Sequence, residues 1–347
     1  MRVLSARPYI LNNKSKEQGV PMDYILVAAG LTFLVVAGDG LVRGAVSMAQ
    51  HLGVPSLVIG LTVVAFGTSA PELIVGVDGV LKGVPELTLG NVVGSNIANI
   101  LLVVGLPAII LPMRCAAPGL VRNLLYMLGA TLVVITLGCF GEISAIYGLL
   151  LLFLLGWFVF DSLMRARRSP LMSSEALEDL EGLPVKPYSW PVTITLIIVG
   201  LSGLALGAHW LIDGSVNIAR RIGVPESFIG LTLVALGTSL PELATAIIAA
   251  LKRHGDVAVG NVVGSNVFNI LGIIGTSSLF GRIPVNDNFI NFDFWVMFGS
   301  SLILLPYALR KATIGRIFGI ILVALYISYI IYLGYDVSIG PDQGLPV

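Results

Sequence analysis

The stretch whose reading decides the fold is Gly67-Thr68-Ser69-Ala70-Pro71-Glu72, which returns in the second half of the chain as Gly237-Thr238-Ser239-Leu240-Pro241-Glu242. Each copy sets one carboxylate inside a long apolar run. The surrounding sequence repeats with it. Residues 31–105 align on 201–275 without a gap, and 60–101 match 230–271 at 23 of 42 positions. Self-similarity of this length marks two halves with one ancestor.

Outward from the motifs the chain is apolar: 56% of residues are hydrophobic and 12% charged, with a mean hydropathy of +0.94. A soluble domain does not carry that balance. Charge-free runs at 87–113, 123–141, 143–160, 257–281 and 317–335 are long enough to cross about 30 Å of hydrocarbon at about 1.5 Å per residue. No ten-residue stretch alternates with period two, so helices and not barrel strands are expected.

The sequence predicts an all-α polytopic membrane protein of about ten transmembrane helices: 23–47, 55–82, 86–112, 120–140, 143–163, 190–218, 226–252, 256–281, 290–309 and 314–335. Five fall in each half, and an odd number forces the second half into the membrane upside down. Two inverted five-helix repeats are the architecture of secondary transporters, with the site between repeats near the midplane. The expected segments are a polar tail (1–22), a first repeat (23–164, motif block 60–105), a charged linker (165–189), a second repeat (190–335, motif block 230–275) and a C-terminal tail (336–347).

A formal net charge of zero leaves no basic stripe for nucleic acid. HExxH is absent and GTSAP is not the GxSxG elbow, so an enzyme is not expected. The two cysteines, Cys115 and Cys139, form no metal or disulfide pattern. Lys and Arg number 11 on the side of the 165–189 linker and 8 on the side of the termini. That bias predicts a cytoplasmic linker with both termini outside.

A carboxylate within the membrane costs a few kcal/mol or more, so Glu72 and Glu242 call for compensation. Thr68 and Ser69 precede Glu72 by four and three residues, on one helical face, and Thr238 and Ser239 precede Glu242 likewise. Pro71 and Pro241 lack an N–H and clash with the carbonyls of Gly67 and Gly237, so each helix should kink there and free backbone oxygens. Irregular backbone at this depth belongs beside a cavity. On the next helix of each half, Ser95 and Asn99 form an i, i+4 pair, as do Ser265 and Asn269. Gly90 with Gly94 and Gly260 with Gly264 form GxxxG steps that allow close helix approach. Asn91 and Asn261 fall on the same face one turn earlier, whereas Asn96 and Asn266 are expected to point elsewhere as structural hydrogen-bonders.

This all-oxygen set suits hard cations such as Ca²⁺ or Na⁺, and two carboxylates neutralise one Ca²⁺ or two Na⁺. Protonated acids bridging helices would explain the carboxylates alone, but not the hydroxyls and proline twice over. Asp39 and Arg43, with His209 and Asp213 at the aligned positions, read as structural polar pairs. A cation channel remains a rival class, and duplicated broken helices favour a transporter.

The motifs GTSAPEL with GNVVGSNIANIL, and GTSLPEL with GNVVGSNVFNIL, resemble the alpha repeats of the cation/calcium exchanger superfamily, in its prokaryotic sodium/calcium exchanger branch. The resemblance covers about residues 23–335. It implies an antiporter in a prokaryotic inner membrane, working as a monomer without cofactor, that exchanges sodium for calcium by alternating access. It further implies that Glu72 and Glu242 are central ligands assisted by Thr68 and Thr238. Ser69, Ser95, Ser239 and Ser265, with the carbonyls of Ala65 and Ala235, would complete flanking sodium sites, and Asn99 and Asn269 would border the cluster. Potassium-dependent relatives carry Asp where Asn269 stands, so no potassium requirement is expected. A calcium/proton antiporter of the same superfamily is the alternative, though protons would not need the Thr/Ser set.

Overall fold

In a computed structural model the structure describes residues 13–54, 56–168, 187–222 and 235–339. Among them, eight helices are long and apolar enough to cross a membrane, and nine if the bent pair Gly60–Thr68 and Ala70–Leu81 is one span. Of the span expected at 226–252, the outgoing half Leu240–Leu251 is present; residues 223–234, like most of the linker, lie outside the described set.

Several spans differ from their expected form. The first helix, Asn13–Leu52, begins inside the expected polar tail and runs past 47. The third is interrupted: Pro85–Ala98 passes through a π-helical turn, Asn99–Val103, before Gly105–Ile110. The ninth breaks between Phe294–Ile303 and Leu305–Leu309, where Pro306 cannot donate the helical hydrogen bond.

The most extensive helix packing among the described residues joins Asn13–Leu52 to Trp190–Arg221, the leading helices of the two halves. A methyl on Gly30 would stand 2.7 Å from the Gly207 carbonyl, and one on Gly200 2.8 Å from Leu41. Gly44 meets Ile197 at 2.9 Å and Gly214 meets Val27 at 2.9 Å by the same measure. Partner numbers fall on one helix as they rise on the other, so the two run antiparallel. Gly44–Ile197 and Gly214–Val27 fall at aligned positions of the two halves, as do Gly200–Leu41 and Gly30–Leu211 at 2.7 Å, a pattern compatible with a two-fold relation between oppositely inserted halves.

Two short ladders repeat that relation, a feature the all-helical reading lacked. Met113 pairs with Ile314 and Arg114 with Thr313; Ile143 pairs with Ile283 and Glu142 with Pro284. Helix Leu120–Gly138 separates residues 113–114 from 142–143, so the ladders cap opposite ends of the bundle. The core between them is built around Val257–Ser277, the most enclosed of the spans.

Candidate functional site

The two motif helices break alike. Gly60–Thr68 and Ala70–Leu81 meet at 50°, hinged on Ser69 at φ −87°, ψ 7°. In the second half Ala235–Thr238 gives way to Leu240–Leu251 through Ser239 at φ −87°, ψ 5°. The prolines stand in the first turn of each outgoing helix, where a missing N–H is harmless. Glu72 and Glu242 share that turn, and the positive end of the helix dipole favours negative charge there. Both carboxylates are buried, 1% and 0% exposed.

The site then assembles across the repeats. Ser69 Oγ donates to Glu242 Oε1 at 3.0 Å, and Thr68 Oγ1 donates to Asn261 Oδ1 at 3.2 Å. Thr68 and Ser265 also stand against the Glu242 carboxylate. A methyl on Gly264 would fall 2.5 Å from the Leu61 carbonyl and 2.7 Å from Ala65 Cβ. The expected close approach through GxxxG is therefore present in the second repeat. The counterpart of that approach, residues 230–234 opposite Gly90 and Gly94, lies outside the described residues.

Asn96 and Asn266 are structural hydrogen-bonders as expected, but their direction corrects an expectation. They do not point away from the ligand candidates; they brace them. Asn99 Nδ2 donates to Asn266 Oδ1 at 3.0 Å, and Asn266 Nδ2 to the Asn96 carbonyl at 3.1 Å. Asn269 Nδ2 donates to Ser95 Oγ at 3.1 Å and to Asn96 Oδ1 at 3.3 Å. Asn96 precedes Asn99 by three residues, a neighbouring position on a helix, and that spacing was the available signal. Both Asn99 and Asn269 lie in π-helical turns, Asn99–Val103 and Phe268–Ile273, a local form frequent at functional positions that no residue pattern announces.

Six buried oxygens in this cluster lack a hydrogen-bond partner: Glu72 Oε2, Glu242 Oε2, Asn99 Oδ1, Asn269 Oδ1, Ser239 Oγ and Ser265 Oγ. Both amides commit their N–H groups to the opposite repeat and leave the oxygen. Buried polar atoms are normally satisfied, and these six oxygens are not. Among the described residues no group of three His, Cys, Asp or Glu that could hold a metal ion occurs. Ser95 Oγ also donates to the Val92 carbonyl at 3.2 Å. The Ala65 carbonyl accepts the Ser69 N–H at 3.0 Å and the Thr68 hydroxyl at 3.4 Å. Thr238 ends, and Ala235 opens, the short helix before the second break.

Apolar spans of membrane-crossing length, in two halves that exchange buried hydrogen bonds, define an integral membrane protein. The model of the sodium/calcium exchanger protein family matches residues 22–164 and 192–335. The chain is 31% identical over 354 residues to the sodium/calcium exchanger MaX1 of Methanosarcina acetivorans, covering 91% of this chain and 99% of that one. It is 33% identical over 311 residues to the inner membrane protein YrbG of Escherichia coli, covering 89% and 95%. The solved sodium-calcium exchanger NCX_Mj, soaked without Na⁺ and Ca²⁺, superposes with a TM-score of 0.78 at 34% identity, over 90% of this chain and 99% of that one. The chain belongs to the sodium/calcium exchanger family, a family of transporters and not of enzymes.

Proposed function

We propose that the protein exchanges sodium for calcium by alternating access. The observation that carries this reading is the set of six partnerless buried oxygens drawn from both repeats around Glu72 and Glu242. Two carboxylates offer a charge of −2, which one Ca²⁺ or two Na⁺ neutralise. Calcium takes six to eight oxygens at about 2.3–2.6 Å, and the cluster supplies carboxylate, amide and hydroxyl oxygens in that range of number. Glu72 and Glu242 hold either ion, with Thr68 and Thr238 beside them. Ser69, Ser95, Ser239 and Ser265, with the carbonyls of Ala65 and Ala235, serve flanking sodium ions, and Asn99 and Asn269 close the middle.

Competition for shared oxygens makes the coupling. With no cation bound, two facing carboxylates would have to cross an apolar seal, which is costly; loaded with either ion the site is neutral and can pass. The hydroxyls favour sodium over protons as the driving ion, because a proton needs only the carboxylates. With amides at both 99 and 269 the cage lacks charge for a third cation species, so potassium is not required. The same reading sets the protein in the inner membrane of a prokaryote, active as a monomer, with the linker in the cytoplasm.

The test is calcium uptake into proteoliposomes. Vesicles loaded with sodium should accumulate calcium, Glu72→Gln and Glu242→Gln should each abolish uptake, and a proton gradient alone should drive none. Uptake driven by protons without sodium would replace this reading with the calcium/proton antiporter.

A further inference from the structure

The two repeats are covered unequally. The first helix packs along Leu240–Leu251, with Gly38 close to Ile248 and Ala244. The two-fold mate of that contact would set Trp190–Arg221 along Ala70–Leu81, and no comparable packing exists there among the described residues. Ile74, on the face left open, is 69% exposed. The bundle is therefore closed at the end bearing Lys252 and less covered at the end bearing Lys82.

Charged side chains follow the same division. Asp39, on the first helix, accepts Arg43 Nε at 2.7 Å from its own helix and Lys252 Nζ at 2.5 Å from the end of the second broken helix. Lys252 is 18% exposed. The aligned positions in the opposite half are His209 for Asp39, Asp213 for Arg43 and Lys82 for Lys252. Their ion pairs among the described residues stay within their own helices: Lys82 with Asp78 at 2.6 Å, and His209 with Asp213 at 3.2 Å. All four are at least half exposed.

We propose that Lys252 and Lys82 are alternating positioning residues of the transport cycle. Lys252 ties its broken helix to Asp39 when the linker end is closed, and Lys82 ties the other broken helix to Asp213 when the opposite end is closed. The inference rests on the alternating access proposed above. Exchanging the roles of the repeats carries the first-helix contact onto Trp190–Arg221 and brings Lys82 to positions 209–213. The carboxylate lies one turn further along there, at 213. That turn is towards the membrane surface at which Lys82 stands, and the four-carbon lysine stem extends naturally that way. Among the described residues, Arg43 also pairs with Asp39 and His209 with Asp213. Asp39 is shared between Arg43 and Lys252, so losing Lys252 leaves it neutralised while the tie between elements is gone.

The experiment uses the full chain with Cys115→Ala and Cys139→Ser, whose calcium flux is measured first with whichever ion drives it. A failure of the sodium reading then shows at that step and leaves the rest intact. Lys82→Cys and Asp213→Cys are introduced together and treated with a short bifunctional thiol reagent. The cross-linked chain should stop exchanging, and cleaving the link should restore flux. Adding Asp39→Asn, or independently Lys252→Met, should speed cross-linking roughly 5-fold, the change that a shift of about 1 kcal/mol between states gives; Asp39→Glu should leave the rate at the parental value. The proposal is overturned if no cross-link forms in any background, if its rate ignores both Asp39→Asn and Lys252→Met, or if the linked chain keeps exchanging.

Discussion

Gly264→Ala tests whether the site depends on the close approach of two helices from different repeats. The added methyl would lie 2.5 Å from the Leu61 carbonyl and 2.7 Å from Ala65 Cβ, and both Leu61 atoms it meets belong to the backbone. Ordinary contact begins near 3.4 Å, so the helices must part by 3.4 − 2.5, or about 0.9 Å. That overpacking costs about 1–3 kcal/mol of stability, which leaves most domains folded. The consequence for the ion is larger. Ser265 and Asn261 sit on the displaced helix, opposite Thr68 and Glu242, and an oxygen that began at about 2.4 Å from calcium would end near 3.3 Å, outside its coordination range. A misplacement near 1 Å can cost on the order of 100-fold where geometry is set this tightly, equivalent to about 2.7 kcal/mol of binding. Calcium titration of purified protein measures the loss, and thermal unfolding confirms that the chain is folded. A folded Gly264→Ala protein that binds calcium within about threefold of the parent would refute the reasoning, because a threefold change corresponds to less than about 1 kcal/mol.

Other outcomes follow from single contacts. Ser69→Ala removes the 3.0 Å hydrogen bond to Glu242; hydrogen bonds to charged groups contribute about 1.5–3 kcal/mol, so sodium-dependent uptake should weaken by at least ~10-fold, measured as a rise in half-saturating sodium. Asn266→Ala takes the brace from Asn99 and should weaken calcium binding by roughly 10-fold, as loss of supporting contacts around ligands commonly does, with little change in melting temperature. Potassium should be without effect on flux; calcium exchange that appears only when potassium is added would contradict the role given to Asn99 and Asn269. Burial pushes the Cys115 thiol up to about 11, so at pH 8 its reactive thiolate is scarce, whereas Cys139 is exposed. An impermeant maleimide added to intact cells should label Cys139 and spare Cys115; no labelling without permeabilisation would reverse the assigned orientation.

Much of this was legible in the sequence because duplication and membrane burial are both written in residue type. A carboxylate in an apolar run is expensive wherever it lies, so Glu72 and Glu242 stand out without coordinates, and Pro71 and Pro241 give the breaks by removing an N–H. The π-helical turns at Asn99 and Asn269 were not legible. They arise where packing between helices admits an extra residue into a turn, and the residues Asn-Ile-Leu are equally at home in an α-helix. Structural hydrogen bonding by Asn96 and Asn266 was expected, but their direction was misread for a related reason: which amide meets which is decided by the register between repeats. The Lys252–Asp39 contact joins the first helix to the end of a broken helix in the opposite half, and only the intrahelical Asp39–Arg43 part of it follows from i, i+4 spacing.

The symmetry of the sequence also promises more than one conformation can hold. Thr68, Ser69 and Glu72 are matched by Thr238, Ser239 and Glu242, so pairing by repeat would predict two equivalent bonds across the site. Ser69 donates to Glu242, yet Ser239 Oγ is left without a partner, while Oε2 is partnerless on both Glu72 and Glu242. The inequality cannot lie in these side chains, which are the same in both halves; it lies in where the two leading helices sit. They press on Leu240–Leu251 and leave Ala70–Leu81 less covered, so the half of the cluster under the tighter cover has its carboxylate engaged. Two near-identical half-sites, with one engaged and one open, are what an exchanger needs if the same oxygens are to face each side of the membrane in turn, since the second state then requires no new chemistry, only the opposite cover.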